Sequence, residues 1–426
     1  MEFAIPEESI LSDGFVRELM NVGDVDIVVG VPTYNDARSV GQVVQAVRAG
    51  LLKHFPRERS VIINADGGSR DGTQDLVRAA AISDLSVASD VHALRTLHSI
   101  STQYEGGPAN GIAIHTILAA TDLLQARTCA IVSPESTTLE PEWMERLLRP
   151  ILRDSNDLVL PIYRRPKFDG LLIRNLVFPM ANVLYGCPVR EPYPSDFAFS
   201  GELGSQFLGQ DIWNQEQGRR GTELWMTLWA AIGKRKLVQS FLGTKTRRED
   251  APSDLVAAMR ETAGTLFTSL DAYASVWHST PDLVAAPCIG CEPAISDGPS
   301  RLNRKRLYDM FKFGMQELDP VFLSILTPPT HDELKRMTGV PEEKFTYSGE
   351  LWARTVYEFG IAFHKAVIGR DHIVQALVPL FRGRAHTFLT QNRDASSEEM
   401  DRSLESLCEA FEQEKPHLID LWDGGK

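Results

Sequence analysis

Two short apolar runs, Asp26–Val31 and Ser60–Asn64, each broken by a turn, constrain this chain more than any other feature. Asp26-Ile27-Val28-Val29-Gly30-Val31 is rich in β-branched residues and is stopped by Pro32, the pattern of a strand buried on both faces rather than of a helix. Between the runs, Val40, Val43, Val44 and Val47 recur at i, i+3, i+4 and i+7, which gathers them on one helical face. The second run ends in the turn-rich Asp66-Gly67-Gly68-Ser69-Arg70-Asp71-Gly72-Thr73, and a helical stretch follows through Leu76, Val77 and Ala80. Strand, helix, strand, helix implies right-handed crossovers, so the expected class is α/β with a mainly parallel sheet.

The alternation continues through a helix over 109–124 and a strand at Thr128–Val132, after which Pro141 opens another helix. From Asp157 the composition changes to mixed aromatics, glycine and arginine, and from about Leu255 helix patterns dominate. Trp352, Val356, Phe359 and Phe363 form one apolar stripe; Met400, Leu404, Leu407 and Phe411 form another, opened by the capping box Ser396-x-x-Glu399. The 426 residues exceed one ordinary domain and are divided here into an N-terminal extension (1–24), a first α/β half (25–156), a second half (157–286) and a helical C-terminal region (287–426), with Pro287–Pro299 as the best linker.

Charge and cysteine usage exclude several function classes. Asp and Glu outnumber Lys and Arg by 57 to 44, which argues against nucleic acid or an anionic membrane as partner. No apolar run reaches the roughly 18 residues that span a bilayer, and the first residues lack a basic signal region, so a cytoplasmic location is expected. Five mostly isolated cysteines make a disulfide framework unexpected, and Cys288-Ile-Gly-Cys291 lacks the second pair a zinc site needs, so it is read as loop or core.

In a parallel sheet, ligands collect at the carboxyl ends of the strands. Val31-Pro32-Thr33-Tyr34-Asn35 leaves one strand and Asp66-Gly67-Gly68-Ser69 leaves the next. A proline-fixed turn exposes backbone groups to a base or ribose, and an Asp can accept from a base N–H or a ribose hydroxyl. The bland alternative is two turns that only close βα units. Taken together, the two segments resemble the paired signature of GT-A glycosyltransferases, whose fold is Rossmann-like and binds nucleotide sugars. Further segments resemble glucosylglycerate synthases and, more distantly, glucosyl-3-phosphoglycerate and mannosylglycerate synthases: Tyr163–Gly170, Pro192-x-x-Ser195-Asp196-Phe197-Ala198-Phe199-Ser200, Gly221–Thr227, Leu242–Lys245 and Leu377–Arg384. The resemblance covers roughly residues 25 to 390.

It implies a retaining transfer of a hexose, glucose first, from a nucleoside-diphosphate sugar to a small hydroxy acid such as D-glycerate. It assigns the nucleotide to Pro32, Thr33, Tyr34, Asn35, Asp66 and Gly67, and the acceptor to Arg165, Ser195, Thr222 and Arg384. Asp196 and Glu223 are the carboxylates placed around the reacting sugar. The family's Asp-x-Asp, which holds Mg²⁺ or Mn²⁺ on the diphosphate, is replaced here by Ser133-Pro134-Glu135, so Glu135 is the one remaining carboxylate ligand. The family's metal-binding His after Leu-Gly-x-Lys is also missing. Its place falls at Thr246-Arg247, so Arg247, with Lys245 or Arg248, could supply the positive charge instead. Independence of metal is therefore favoured, against a cation held by Glu135 with waters and donor phosphates. The other class of function is a nucleotide-sugar-binding protein without turnover. The amphipathic C-terminal helices offer a face on which a homodimer could form.

Overall fold

The protein, described by a computed structural model over residues 10–82, 97–245, 254–279, 286–291, 295–296 and 302–424, is built on a twisted, mainly parallel sheet. Its strands are β1 (Ile27–Thr33), β2 (Ser60–Asp66), β3 (His98–Gln103), β4 (Thr128–Ile131), β5 (Leu158–Pro166), β6 (Phe197–Ser200), β7 (Leu237–Thr244), β8 (Cys288–Ile289) and β9 (Ile295–Ser296). They run in the order β3-β2-β1-β4-β6-β5-β7-β8, with β9 against the end of β5. β6 is antiparallel to both β4 and β5, and every other pairing is parallel.

The period of the strands distributes their side chains to two cores. Ile27, Val29, Val31 and Ile62 face the helices Val40–His54 and Glu142–Leu152, while Val28, Val61, Ile63 and Ala65 face the helix Asn110–Leu123. With apolar cover on both faces, the strands read as continuous rather than alternating hydrophobic runs. The expected α/β class with a helical C-terminal region is the one found.

Most of the helical region extends the second core, in one continuous cluster of buried residues from Leu11 to Leu418, while Phe388, Met400 and Leu404 form a small cluster with Phe178. Trp352, Phe359 and Phe363 are buried inside the chain, so they pack the core. Ser396 and Glu399 form the reciprocal capping box at the start of the helix Ser397–Trp422. Among the described residues no helix is long and apolar enough to cross a membrane.

Two expectations are corrected in the Pro287–Pro299 segment. It is not simply a linker, because β8 and β9 add to β7 and β5. Cys288 and Cys291, read as loop or core, are joined as a disulfide, with Cα atoms 5.8 Å apart. Gly290, at φ +64°, turns the chain back so that the two side chains meet.

Two buried groups brace the π-helical turn Ile173–Val177: Trp352 Nε1 donates to the Asn175 carbonyl (2.6 Å), and Arg384 Nε donates to Asn175 Oδ1 (3.2 Å). Trp352→Phe should leave that buried carbonyl without its donor and cost on the order of 1–3 kcal/mol in urea unfolding.

Candidate functional site

The carboxyl ends of β1 and β2 are laced into one unit. Asp66, the last residue of β2, is buried and accepts five hydrogen bonds: from Thr33 Oγ1 (2.8 Å), Ser69 Oγ (2.6 Å), the Gly68 and Ser69 amides (2.9 and 2.8 Å) and Gln74 Nε2 (2.9 Å). Burial pushes the pKa of this carboxyl up, but the bonds from Ser69, Gln74 and Thr33 outweigh it and hold the pKa below its ordinary range. Behind Thr33, Asn64 donates to its hydroxyl (2.8 Å) and accepts from Ser101 (2.7 Å). The following turn is tied across as well: the Arg70 amide donates to Asn35 Oδ1 (3.0 Å) and the Asn35 amide to Ser69 Oγ (2.8 Å). Pro32 and Thr33 are buried, whereas Asn35 is exposed and Tyr34, 48 % exposed, presents an aromatic ring at the sheet edge.

Gly67, which follows Asp66, leaves no room for a side chain. A Cβ there would lie 2.7 Å from the Tyr104 hydroxyl and 3.1 Å from Pro108 Cα. Tyr104 is itself fixed by hydrogen bonds of 3.2 Å to the Ala109 backbone.

Asp196 is the second node. Fully buried, it accepts from the Ser133 amide (2.9 Å), Ser136 Oγ (2.8 Å), the Tyr163 hydroxyl (2.6 Å), Ser195 Oγ (3.2 Å) and Lys245 Nζ (2.5 Å). One carboxylate thus gathers the loop after β4, the middle of β5, the start of β6 and the residue after β7. Burial works against its charge, but the Lys245 ammonium and the hydrogen bonds prevail and keep its pKa below the ordinary value. The same burial, with Asp196 beside it, pushes the Tyr163 hydroxyl well above its ordinary range. Lys245 also donates to Ser195 and sits 4.6 Å from the centre of the Tyr163 ring.

The edge offers a divalent cation little. Glu135 is exposed, Ser133 is a neutral oxygen, and the Asp196 carboxylate is taken by Lys245. Among the described residues no three acidic, His or Cys side chains come together as a metal set. These residues do not form a protein-held cation site by themselves. Arg247 and Arg248 lie outside the described residues.

Glu223 stands apart from these two nodes, in the first turn of the helix Thr222–Ile232. Gly221 begins that helix at φ +74°, and a Cβ there would be 2.3 Å from the Glu261 carbonyl oxygen and 2.2 Å from Thr265 Oγ1, so the helix start is pressed against the helix Leu255–Ala272. Thr222 is buried beside it. Asn110, at the start of its own helix, donates to Glu223 Oε1, and the Tyr193 hydroxyl donates to Glu261 Oε2 (3.0 Å). Glu223 is 5 % exposed, and burial, reinforced by the Glu261 charge and only partly offset by the Asn110 bond, pushes its carboxyl up to about 7.

The residues assigned to the acceptor separate in space. Ser195 joins the Asp196 node. Arg165 pairs with Glu191 (3.3 Å) and lies 4.8 Å from the centre of the Tyr163 ring. Arg384 is buried in the helical region, bonded to Asn175 and the Tyr347 carbonyl (2.8 Å), and burial lowers its guanidinium to about 10. Sequence reasoning passed over Asn64, Gln74, Tyr104 and Glu261, and it quoted Tyr163 only as part of a matching segment. Asn64, Tyr163 and Glu261 act through partners more than thirty residues away, and Gln74 and Tyr104 through nearer ones that form no recognisable motif.

The fold is α/β, and buried carboxylates fix the loops at the carboxyl ends of β1, β2 and β4. No family model and no curated protein matches the sequence. Among solved structures the chain is similar to glucosyl-3-phosphoglycerate synthase from Mycobacterium tuberculosis. With the complex with Mg²⁺ and uridine diphosphate it shares 18 % identity over 63 % of this chain and 84 % of that one, at a TM-score of 0.42. With the complex with Mn²⁺ and UDP-glucose the figures are 18 %, 63 % and 84 %, at 0.41. A mycobacterial protein without a stated activity gives 20 %, 64 % and 81 %, at 0.43. At such identity and overlap, the chemistry of this site rests on its own residues.

Two predictions follow from the buried charges. Lys245→Met strands a buried carboxylate and should cost on the order of 3–5 kcal/mol; Asp196→Asn with Lys245→Met should recover part of that loss in a denaturant double-mutant cycle. Glu223 binds its proton more tightly folded than unfolded, so it makes stability fall as pH rises from the ordinary carboxyl range to about 7, with no further loss above. Glu223→Gln should flatten the pH dependence of urea unfolding in that window by on the order of 3 kcal/mol.

Proposed function

We propose that the chain is a retaining hexosyltransferase that moves a hexose, with glucose as first candidate, from a nucleoside-diphosphate sugar to a hydroxyl of a small polar acceptor. The sequence resemblance puts hydroxy acids such as D-glycerate first among acceptors. The observation that carries the reading is the fixing of three edge loops by two saturated carboxylates, 32–35 and 66–72 by Asp66 and 133–136 by Asp196, which leaves an exposed aromatic and backbone groups at the carboxyl edge. Such an edge is where a parallel sheet binds nucleotides.

In this reading Tyr34 stacks on the base, and Pro32, Thr33, Asn35, Asp66 and Gly67 shape the pocket for base and ribose. Asp66 acts by fixing the turn, since its own lone pairs are occupied. The loop bearing Ser133 and Glu135 receives the diphosphate, and Lys245 and Arg247 offset its charge. Asp196 is a positioning residue that holds this loop against β5 and β7. Glu223, near half-protonation at neutral pH, can donate to or accept from a sugar hydroxyl. As the bond from the anomeric carbon to the diphosphate breaks, the acceptor oxygen attacks from the same face and its proton passes to the departing phosphate oxygen.

A second reading is favoured by one observation, that both Asp66 and Asp196 are already saturated by the protein's own donors: a nucleotide-sugar-binding protein without turnover. The two separate in one matrix of UDP-, GDP- and ADP-glucose against D-glycerate and a panel of polyols, with EDTA or Mn²⁺. The transferase reading expects a glycosylated product with retained anomeric configuration, formed in excess EDTA at no less than about a tenth of the rate with Mn²⁺. Tight donor binding with no product across the matrix would sink it, and complete loss on chelation would sink the role given to Lys245 and Arg247.

A further inference from the structure

A cavity of about 560 Å³ lies between β5, β7 and β8 on one side and the π-helical turn and the start of the helix Ser397–Trp422 on the other. It borders Tyr163, whose hydroxyl reaches Asp196, so it adjoins the carboxyl edge without being part of the nucleotide turns. From the cavity we infer the class of acceptor: a neutral polyhydroxylated molecule, about one or two sugar rings in size, in preference to an anionic hydroxy acid. The inference rests on the transferase reading for the word acceptor, and on the cavity alone for the ligand class.

Charge decides between the two classes. The wall carries four carboxylates, Asp169, Glu191, Glu398 and Asp401, against two guanidinium groups, Arg174 and Arg190. Arg190 is taken by Asp401 (2.8 Å), and Glu191 is taken by Arg165 (3.3 Å). What remains is Arg174, which also donates to the Lys167 carbonyl, facing two carboxylates, Asp169 and Glu398. An incoming carboxylate or phosphate would be desolvated beside carboxylates in excess, an unfavourable juxtaposition. A hydroxyl both donates and accepts, so it can give its proton to Asp169 or Glu398 and accept from Arg174.

Shape agrees with charge. Ile162, Phe178, Met400 and Leu404 supply an apolar floor suited to the C–H face of a sugar ring, and D-glycerate, smaller than a single ring, would leave most of the volume unfilled. The turn carrying Arg174 is π-helical, a geometry that recurs at functional sites, and it is fixed from behind by Trp352 and Arg384. The Cys288–Cys291 disulfide closes part of the outer wall.

The test is calorimetric titration, without donor, of glucose, maltose, D-glycerate and 3-phosphoglycerate into wild type, Asp169→Asn and Glu398→Gln, together with initial rates on the same four compounds with UDP-, GDP- and ADP-glucose. Thermal melts establish that the near-isosteric variants are folded. A neutral sugar should bind at least about tenfold more tightly than either acid, and each variant should weaken that sugar about tenfold while narrowing the gap to the acids. Tighter binding of either acid than of both sugars, unchanged selectivity in both variants, or no binding of any of the four overturns the inference. Sugar binding with the expected selectivity but no transfer from any donor upholds the cavity assignment and removes the transferase reading. Transfer to D-glycerate at rates unchanged in both variants does the reverse.

Discussion

The Asp196 carboxylate is the interaction on which the working edge of this protein depends. Five donors from four stretches of chain converge on it, and the Lys245 ammonium is the only one that brings a full charge. A buried carboxylate is tolerable only when its lone pairs are filled, and here filling them requires the loop after β4, the middle of β5 and the end of β7 to sit at one place. β6, which Asp196 immediately precedes, is the antiparallel strand inserted between β4 and β5, so the sheet departs from parallel order next to the node. Asp66 does for β1 and β2 what Asp196 does for β4, β5 and β7.

This arrangement gives meaning to the chain's negative charge. In the proposed reading, a net of −13 offers a diphosphate no general attraction, so positive charge would have to be brought in locally. Lys245 is held at the edge by Asp196, Ser195 and the Tyr163 ring, and Arg247 follows two residues later in the sequence. Glu223, whose carboxyl burial pushes up to about 7, is flanked by Asn110, Tyr193 and Glu261, on a helix start pressed close enough to exclude any side chain at position 221.

Much of the scaffold was legible because its determinants are local. The runs that became β1 and β2, the valine stripe of the intervening helix and the capping box at Ser396 each depend on residues a few positions apart. The site was legible only in outline. Asp66 and Asp196 could be chosen as important carboxylates, but the saturation that makes them anchors comes from Thr33, Ser133, Tyr163 and Lys245, tens of residues away. Arg384 was assigned to the acceptor because its segment resembles the family's; instead it is enclosed in a helix covered on nearly every side. The Cys288-Ile-Gly-Cys291 pair was seen but not read as a disulfide, because an isolated pair in a cysteine-poor chain gives no framework pattern.

The central claim, that the joined turns of β1 and β2 form a nucleotide-sugar site, is tested most directly by calorimetric titration of UDP-, GDP- and ADP-glucose into wild type and Tyr34→Ala in EDTA. Tyr34 is exposed and packs no core, so its loss should leave the fold intact while removing the ring proposed to stack on the base. One of the three donors should bind wild type, and Tyr34→Ala should bind it about tenfold more weakly, in line with a stacking contribution of ~1–3 kcal/mol per base. Absence of binding by all three, or equal affinity in the variant, would contradict the account.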